Sequence, residues 1–322
     1  MENIRNNNST SCKLAPKRGM SDKLRLIYKP FVLIAIGFIL TYTFLHWLLF
    51  IKLEIPLKEE IISFLTFVLI WIPLLIWLRP RIKLLYFKNK NLYSVYLLLS
   101  CIAIAIPTII AQEYLIIATG KLTQLDNISQ ISQHEKTKFY SLKNYHISKQ
   151  PIAIYTTQKK THTKGIGNGY YAMSLYIAMP ILESNTDIKF ETKYWLGKQY
   201  HESIRYSLFM ELSDQERCEK YAEFVAQSLK EFQETDFEQF AYLEVLGNTL
   251  DRDKYNKALK QCGKNLTNDN IVFEAKTGSL EARKDKQHTC FFISLGIGFL
   301  AYFILLLFPK IQERKTIKDI NA

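Results

Sequence analysis

Six histidines, five cysteines, one glycine-rich stretch and a scatter of carboxylates are the residues of this chain with reactive side chains or ligand-binding backbone. His134, His146, His162, His201 and His288 have the side chain that metal ligation or base catalysis needs. None falls in an HxxxH or HExxH arrangement, the spacing that brings two imidazoles to one helix face around zinc. Surface and capping roles are expected of them, with no metal and no cofactor. The stretch Gly165-Ile-Gly-Asn-Gly169 has the glycines of a phosphate loop, but such a loop needs a helix opening after its last glycine so that the amides point at the phosphate. Strand-forming residues follow instead, which predicts a hairpin loop. Ser279, in Thr277-Gly-Ser-Leu280, lacks the second glycine of a nucleophile elbow. The carboxylates of 211–253 alternate with lysines, the pattern of a solvated helix face.

His46 differs from the others because it stands inside a long apolar run, where an ionisable residue is costly and raises a functional question. It is also five residues from the end of that run and next to Trp47, in the zone where amphipathic rings collect at a membrane interface. An interfacial anchor is the plain reading. His46 and His162 are the bases that a divergent hydrolase would use.

The apolar runs decide the class of protein. Residues 31–51, 61–78, 92–111 and 290–308 hold no Asp, Glu, Lys or Arg over 21, 18, 20 and 19 residues. Each is close to the ~20 residues that cross a ~30 Å hydrocarbon core. A soluble helix of that length needs a polar solvent face. The expectation is a multi-pass α-helical membrane protein with four transmembrane helices, at about 31–51, 61–78, 92–112 and 290–308. A soluble cytoplasmic enzyme is excluded. The first run is too long for a signal-peptide core and no A-x-A-like site follows it, so it is expected to be a retained anchor. Pro73 and Pro107 are expected to kink their spans, and Gly296 and Gly298 to let helices approach closely.

The formal charge of +12 is carried by three segments, 1–30, 79–91 and 309–322. They lie on alternate sides of successive spans, and the positive-inside rule places all three in the cytoplasm of a bacterial inner (plasma) membrane. The organisation is then a basic segment 1–30, three spans with short loops over 31–117, an extracytoplasmic domain 118–289, the span 290–308 and a basic tail 309–322. The domain is close to neutral, so the pI of 9.3 does not point to nucleic acid. The basic flanks set topology and meet anionic headgroups of the bilayer. Cys218 and Cys262 are the two cysteines of the outer domain. They either form a disulfide in an oxidising compartment or serve as buried thiols filling helix faces.

Within 118–289, residues 120–137 read as a polar helical or loop lead-in. Residues 140–146, 152–157, 170–181 and 190–200, rich in Tyr, Ile and Thr, read as strands. Ser213-Asp-Gln-Glu216 fits a capping box, and Cys218, Tyr221, Ala222, Val225, Leu229 and Phe232 then recur at helical spacing. Further helices are expected over 236–246 and 252–262, and a late strand over 270–275. The domain is expected to be α+β, strands first and helices after.

Six short stretches, in this order, resemble a known family. They are Thr119-Gly-Lys-Leu-Thr-Gln-Leu-Asp-Asn-Ile-Ser-Gln130, Phe139-Tyr-Ser-Leu-Lys-Asn-Tyr145, Tyr176-Ile-Ala-Met-Pro-Ile-Leu182, Trp195-Leu-Gly197, Leu212-Ser213 and Phe240-Ala-Tyr-Leu243. Together they are similar to the region that precedes the peptidase domain in large bacterial rhomboid-family membrane proteins, over roughly residues 60–310. In that family the peptidase bundle follows, with a serine in a GxSG motif and a histidine on another helix. Here no GxSG occurs, Ser294 is followed by Leu295-Gly296, and the chain ends fourteen residues after Phe308. No catalytic residue carries over, and the resemblance implies an accessory region without its protease.

The leading expectation is a non-enzymatic membrane protein whose outer domain binds a membrane or envelope protein. Its surface is placed at Tyr140, Tyr145, Tyr155, Tyr170, Tyr171 and Trp195, because tyrosine offers large contact area at low entropic cost. Packing of the sheet is the alternative use of the same rings. The rival readings are a divergent membrane-associated hydrolase or protease and a membrane ligand sensor.

Overall fold

The computed structural model describes residues 19–161, 169–184, 192–205, 212–263 and 270–312. It divides into two compact units: one takes the chain up to Leu48, 63–112 and 288 onward, the other 49–62 and 113–287. The helices α1 (Met20–Lys52), α2 (Glu59–Ile82), α3 (Asn91–Thr119) and α6 (Leu280–Leu307) are long and apolar enough to cross a membrane. Two others, α4 (Asp214–Glu234) and α5 (Leu250–Gln261), belong to the second unit.

The first unit is apolar inside and out. Ile27, Phe31, Ala35 and Ile39 of α1 recur at helical spacing and pack against Ile70, Leu74 and Leu78 of α2, Leu97, Cys101 and Ile104 of α3, and Tyr302 and Leu306 of α6. Leu33, Leu40, Phe64 and Leu300 point outward and are exposed, the all-round apolarity that a bilayer accommodates. Phe31 stacks on Tyr302 with ring centroids 3.8 Å apart. At Gly298 a Cβ would stand 2.8 Å from the Ala103 carbonyl oxygen, so the close approach expected of this glycine is present. Gly296 has open space instead.

Altered turns accompany several of the prolines. The helix carrying Pro107 keeps its α form to Thr119, whereas at Pro73 the α form ends and a wider π turn, Leu74–Leu78, follows directly. Further π turns occur at Leu24–Tyr28 and Trp47–Lys52, and those at Leu24–Tyr28 and Leu74–Leu78 end two residues before Pro30 and Pro80. A proline has no N–H for the carbonyl four residues back, and its ring crowds that carbonyl, so a wider turn relieves the helix there. For Pro30 that carbonyl belongs to Leu26, and the Arg81 guanidinium donates to it at 3.2 Å. Lys23 Nζ similarly donates to the last carbonyls of α6, Leu306 at 2.8 Å and Leu307 at 3.2 Å, placing a cation at the negative end of a helix dipole. Strands β1 (Leu85–Tyr86) and β10 (Lys310–Ile311) pair beside them.

The second unit is built on one mixed sheet. Its strands are β2 (Leu122–Leu125), β3 (Phe139–Leu142), β4 (His146–Ile147), β5 (Ala153–Thr161), β6 (Tyr170–Leu182), β7 (Tyr194–Arg205), β8 (Tyr242–Val245) and β9 (Ile271–Lys276). They lie in the order β2-β3-β8-β9-β7-β6, with β4 and β5 both pairing the outer side of β6. Pairs β2/β3 and β7/β9 are parallel and the rest antiparallel. Alternation sorts the core in two. Met173, Leu175, Ile177 and Met179 of β6 pack with Phe224 and Phe232 of α4. Tyr176 and Ala178 pack with Trp195 and with Tyr255, Ala258 and Leu259 of α5 on the other face. A sheet covered on both faces explains why β6 reads as a continuous apolar run.

Two expectations are corrected. Residues 236–246 are not a helix: Asp236 Oδ1 accepts the Glu238 amide at 2.9 Å, an Asx turn that breaks helical continuation, and β8 follows with Tyr242 and Leu243 buried. The strands also do not all precede the helices, since β8 and β9 fill the middle of the sheet. The region 120–137 holds β2 and a short 3₁₀ helix, Ile128–Gln133. The capping box is present: Ser213 Oγ accepts the Glu216 amide, and the Glu216 carboxylate accepts the Ser213 amide at 2.7 Å.

Glu244 of β8 ties the unit together. Its side chain is only 12% exposed, and Arg283 Nη1 of α6 meets it at 2.6 Å, with Lys138 and Lys276 each at 3.7 Å. Burial works against the Arg283 charge, but hydrogen bonds to Tyr242 and Glu244 outweigh it and hold the guanidinium pKa above its usual value. Lys138 also reaches Glu59 at 4.0 Å. The 49–62 segment is bound in the same way: the Glu59 amide donates to Asn248 O at 3.1 Å, Glu60 Oε1 accepts the Leu250 amide at 2.8 Å, and Lys58 pairs with Asp253. Gly247 has no side chain because a Cβ there would stand 1.8 Å from Glu59 Oε1.

Replacing Glu244 by Gln leaves three cations around a neutral amide and should destabilise the second unit by about 2 kcal/mol, read as a lowered thermal midpoint of the detergent-solubilised chain. The bonds from Ser213 hold the Glu216 carboxyl below its usual range. Its stabilisation of α4 is therefore complete above the unfolded carboxylate pKa and is lost as pH falls through the lowered value. Hydrogen-exchange protection of the first turn of α4 should drop at that point in the native chain and show no such step in Glu216→Gln.

Candidate functional site

The second unit has a cleft of about 470 Å³ between β4, the turn after it and the C-terminus of α4. The sheet supplies His146 at the end of β4, because Tyr145 and Ile147, on either side of it in sequence, pack into the core. His146 Nδ1 lies 3.0 Å from Glu238 Oε1. Tyr145 stacks on Phe240 at 4.6 Å and donates its hydroxyl to the Glu238 carbonyl. Burial, then the nearby charges of Glu238 and Asp236, push the Tyr145 hydroxyl pKa up, so it is a neutral donor. Lys149 Nζ donates to Gln233 O at 2.6 Å and stands 5.6 Å from the Phe237 ring centre, a cation placed where the α4 dipole is negative.

Glu234, Asp236 and Glu238 also line this cleft and are exposed. Carboxylates grouped at a helix C-terminus repel one another and the dipole, and one lysine offsets part of that. The exposed carboxylates suit a guest ammonium or guanidinium. Of the polar side chains here, Lys149 is engaged with the Gln233 carbonyl and Thr235 donates to the Glu231 carbonyl at 2.7 Å. Among the described residues no group of three or more His, Cys, Asp and Glu could hold a metal ion.

The six aromatic residues expected at a partner surface separate into two sets. Tyr140 and Trp195 are each 2% exposed and Tyr171 is 5% exposed, so these three are core and are withdrawn from the surface. The alternation of β3, β6 and β7 turns them inward. Tyr145 and Tyr155 are half-buried, and Tyr170 is 52% exposed. His162 and most of the glycine-rich stretch lie outside the described residues. His46 is 5% exposed, buried on the same helix face as Tyr42. One turn away on that face Tyr42 is bonded to Thr66, which also accepts from Gln112 Nε2 at 3.2 Å.

Sequence reading missed two arrangements. Ser174 Oγ and His201 Nδ1 are 2.9 Å apart, opposite each other in the β6/β7 register. This begins a nucleophile–base pair, yet among the described residues no carboxylate orients the ring. Tyr176, buried under α5, donates to Asp251 at 2.8 Å and accepts from Lys254 at 2.8 Å and Gln199 at 2.9 Å. Burial opposes the Lys254 charge, but bonds to Tyr176 and Asp251 outweigh it and raise its pKa. This network clamps α5 to the sheet. Only strand pairing brings such residues together, so sequence spacing carries no sign of them.

Comparison of the chain with family models, with characterised proteins and with solved structures finds no match. What is established is four helices able to cross a membrane and an α/β unit.

Neither role weighed for Cys218 and Cys262 is found: they form no disulfide and are not buried, both being free, exposed thiols. Cys218 rides on α4 and Cys262 caps α5, on opposite faces of the sheet, which no disulfide can span. Both should react with a maleimide in the folded chain without reductant, and mass spectrometry should find no 218–262 cross-link.

Proposed function

We propose that this chain is an integral protein of the bacterial inner membrane, with both termini cytoplasmic, whose extracytoplasmic domain binds a protein or envelope partner. The cleft of His146, Lys149, Asp236, Phe237 and Glu238 carries this reading: it is open, charged and suited to a basic side chain. The anchoring of the domain agrees with it, since Lys58–Glu60, Lys138 and Arg283 hold the sheet where α2 and α6 begin. The distribution of basic residues supports the orientation. The resemblance to the region preceding rhomboid-type peptidases makes an accessory role beside a membrane protease the first one to test.

A photocrosslinker replacing Phe237 in intact membranes should give a specific adduct with a second protein. The same crosslinker on the solvent face of α4, at Glu223, should not. Glu234→Lys with Glu238→Lys, which leave the Asp236 turn in place, should remove the adduct while the chain still folds, as read by its circular dichroism. Equal adducts at both positions, or none, would defeat the proposal. The orientation has its own check: a membrane-impermeant maleimide should label Cys218 in intact spheroplasts and Cys12 only after lysis.

A further inference from the structure

Strand β5 runs for nine residues, Ala153–Thr161. It is paired on one side only: β6 holds it along its whole length without a bulge, and among the described residues no strand lies on its other side. In an antiparallel ladder alternate residues turn their N–H and C=O away from the partner. The outer side of β5 is therefore a row of backbone donors and acceptors; among the described residues the hydrogen bond next to it is at its start, where Cys262 Sγ lies 3.4 Å from Ile152 O. Proteins usually shorten, bulge, cover or charge an edge of this kind, because it is a template for another strand. Here it is long and regular, and Pro151 precedes the strand instead of interrupting it.

Charge states what would fit. Residues 146–161 contain Lys149, Lys159 and Lys160 and no acid. Lys159 and Lys160 are both exposed and project to opposite faces at the far end of the strand. Beside its nearer half, Lys257 of α5 stands 5.5 Å from the Tyr155 ring centre. We propose that the free edge of β5 accepts an extended protein segment carrying carboxylates opposite Lys159 and Lys160, which adds a strand to the sheet. Backbone bonds supply affinity, and the two lysines set register and partner choice. A second copy of this chain fits poorly, because its own edge would bring more lysines and no carboxylate. This inference rests on the partner-binding reading and assigns a surface separate from the cleft.

Hydrogen exchange on the full chain in lipid nanodiscs tests it. Without any addition, alternate amides of β5 should exchange fast and the intervening ones slowly. The probe is a synthetic strand of about ten residues, alternating Thr and Val and ending in two Glu. It should slow the fast set, while the same peptide ending in two Lys should not. N-methylation of every second probe residue should weaken binding roughly tenfold or more. Lys159→Glu with Lys160→Glu should reverse the preference between the two peptides. The proposal falls if the fast set is already slow in the free chain, if the acidic probe at millimolar concentration leaves it unchanged, or if protection grows with protein concentration alone, which would mark a self-paired edge. Adducts at residue 237 without protection of β5 would remove the edge and keep the cleft. Loss of both would remove partner binding itself.

Discussion

A carboxylate withdrawn from water is tolerable only among cations, and Glu244 is surrounded by three. Arg283, Lys138 and Lys276 come from α6, from the residue before β3 and from β9, segments far apart in the chain. Their convergence sets β8 between β3 and β9 and fixes where the last long helix begins. The two faces of the sheet are then available for α4 and α5, whose packing buries Phe232 on one side and Tyr255 on the other. The outer strands β4, β5 and β6 extend from this centre and carry both the cleft and the free edge. Away from this centre the ties are different in kind, with Tyr176 of β6 bonded to Asp251 and Lys254 of α5.

Much of this architecture was legible in the sequence. The four apolar runs predict the long helices because nothing else tolerates such lengths without charge, although the helices extend into polar residues at their ends. The Ser213–Glu216 box and the apolar spacing behind it locate α4, and the stretches rich in Tyr, Ile and Thr locate β5, β6 and β7. The errors have local causes. Residues 236–246 look helical in composition, but a side chain–backbone turn at Asp236 and the slot beside β9 override that propensity. Of the two prolines that drew attention, Pro73 does border an altered turn, while Pro107 sits within a continuous α-helix.

The candidate site was far less legible. His146 and Glu238 are 92 residues apart, and only the pairing of β4 with β6 and the end of α4 bring them within bonding distance. The same holds for Ser174 with His201. The aromatic residues named for a partner surface divide into buried and accessible ones for a simple reason: a period of two puts neighbouring aromatic residues on opposite faces, and sequence alone did not say which face is covered. Covering both faces turned Tyr140, Tyr171 and Trp195 into core. His46, read as an interfacial ring, is buried among its neighbours, a packing that no charge pattern could have announced.

The grip of residues 58–60 on 248–253 also has a temporal side. Lys58 and Asp253 are 195 residues apart in the chain, and synthesis at ~5–20 residues per second separates their appearance by about ten to forty seconds. Throughout that interval Lys58 and the Glu59 amide lack the Asp253 carboxylate and Asn248 carbonyl that they meet in the folded unit. The sheet waits longer still, because β9 and Arg283 follow Asp253 in the chain. The second unit therefore closes only when nearly the whole of it has been made, and residues 58–60 belong to its earliest and latest parts at once.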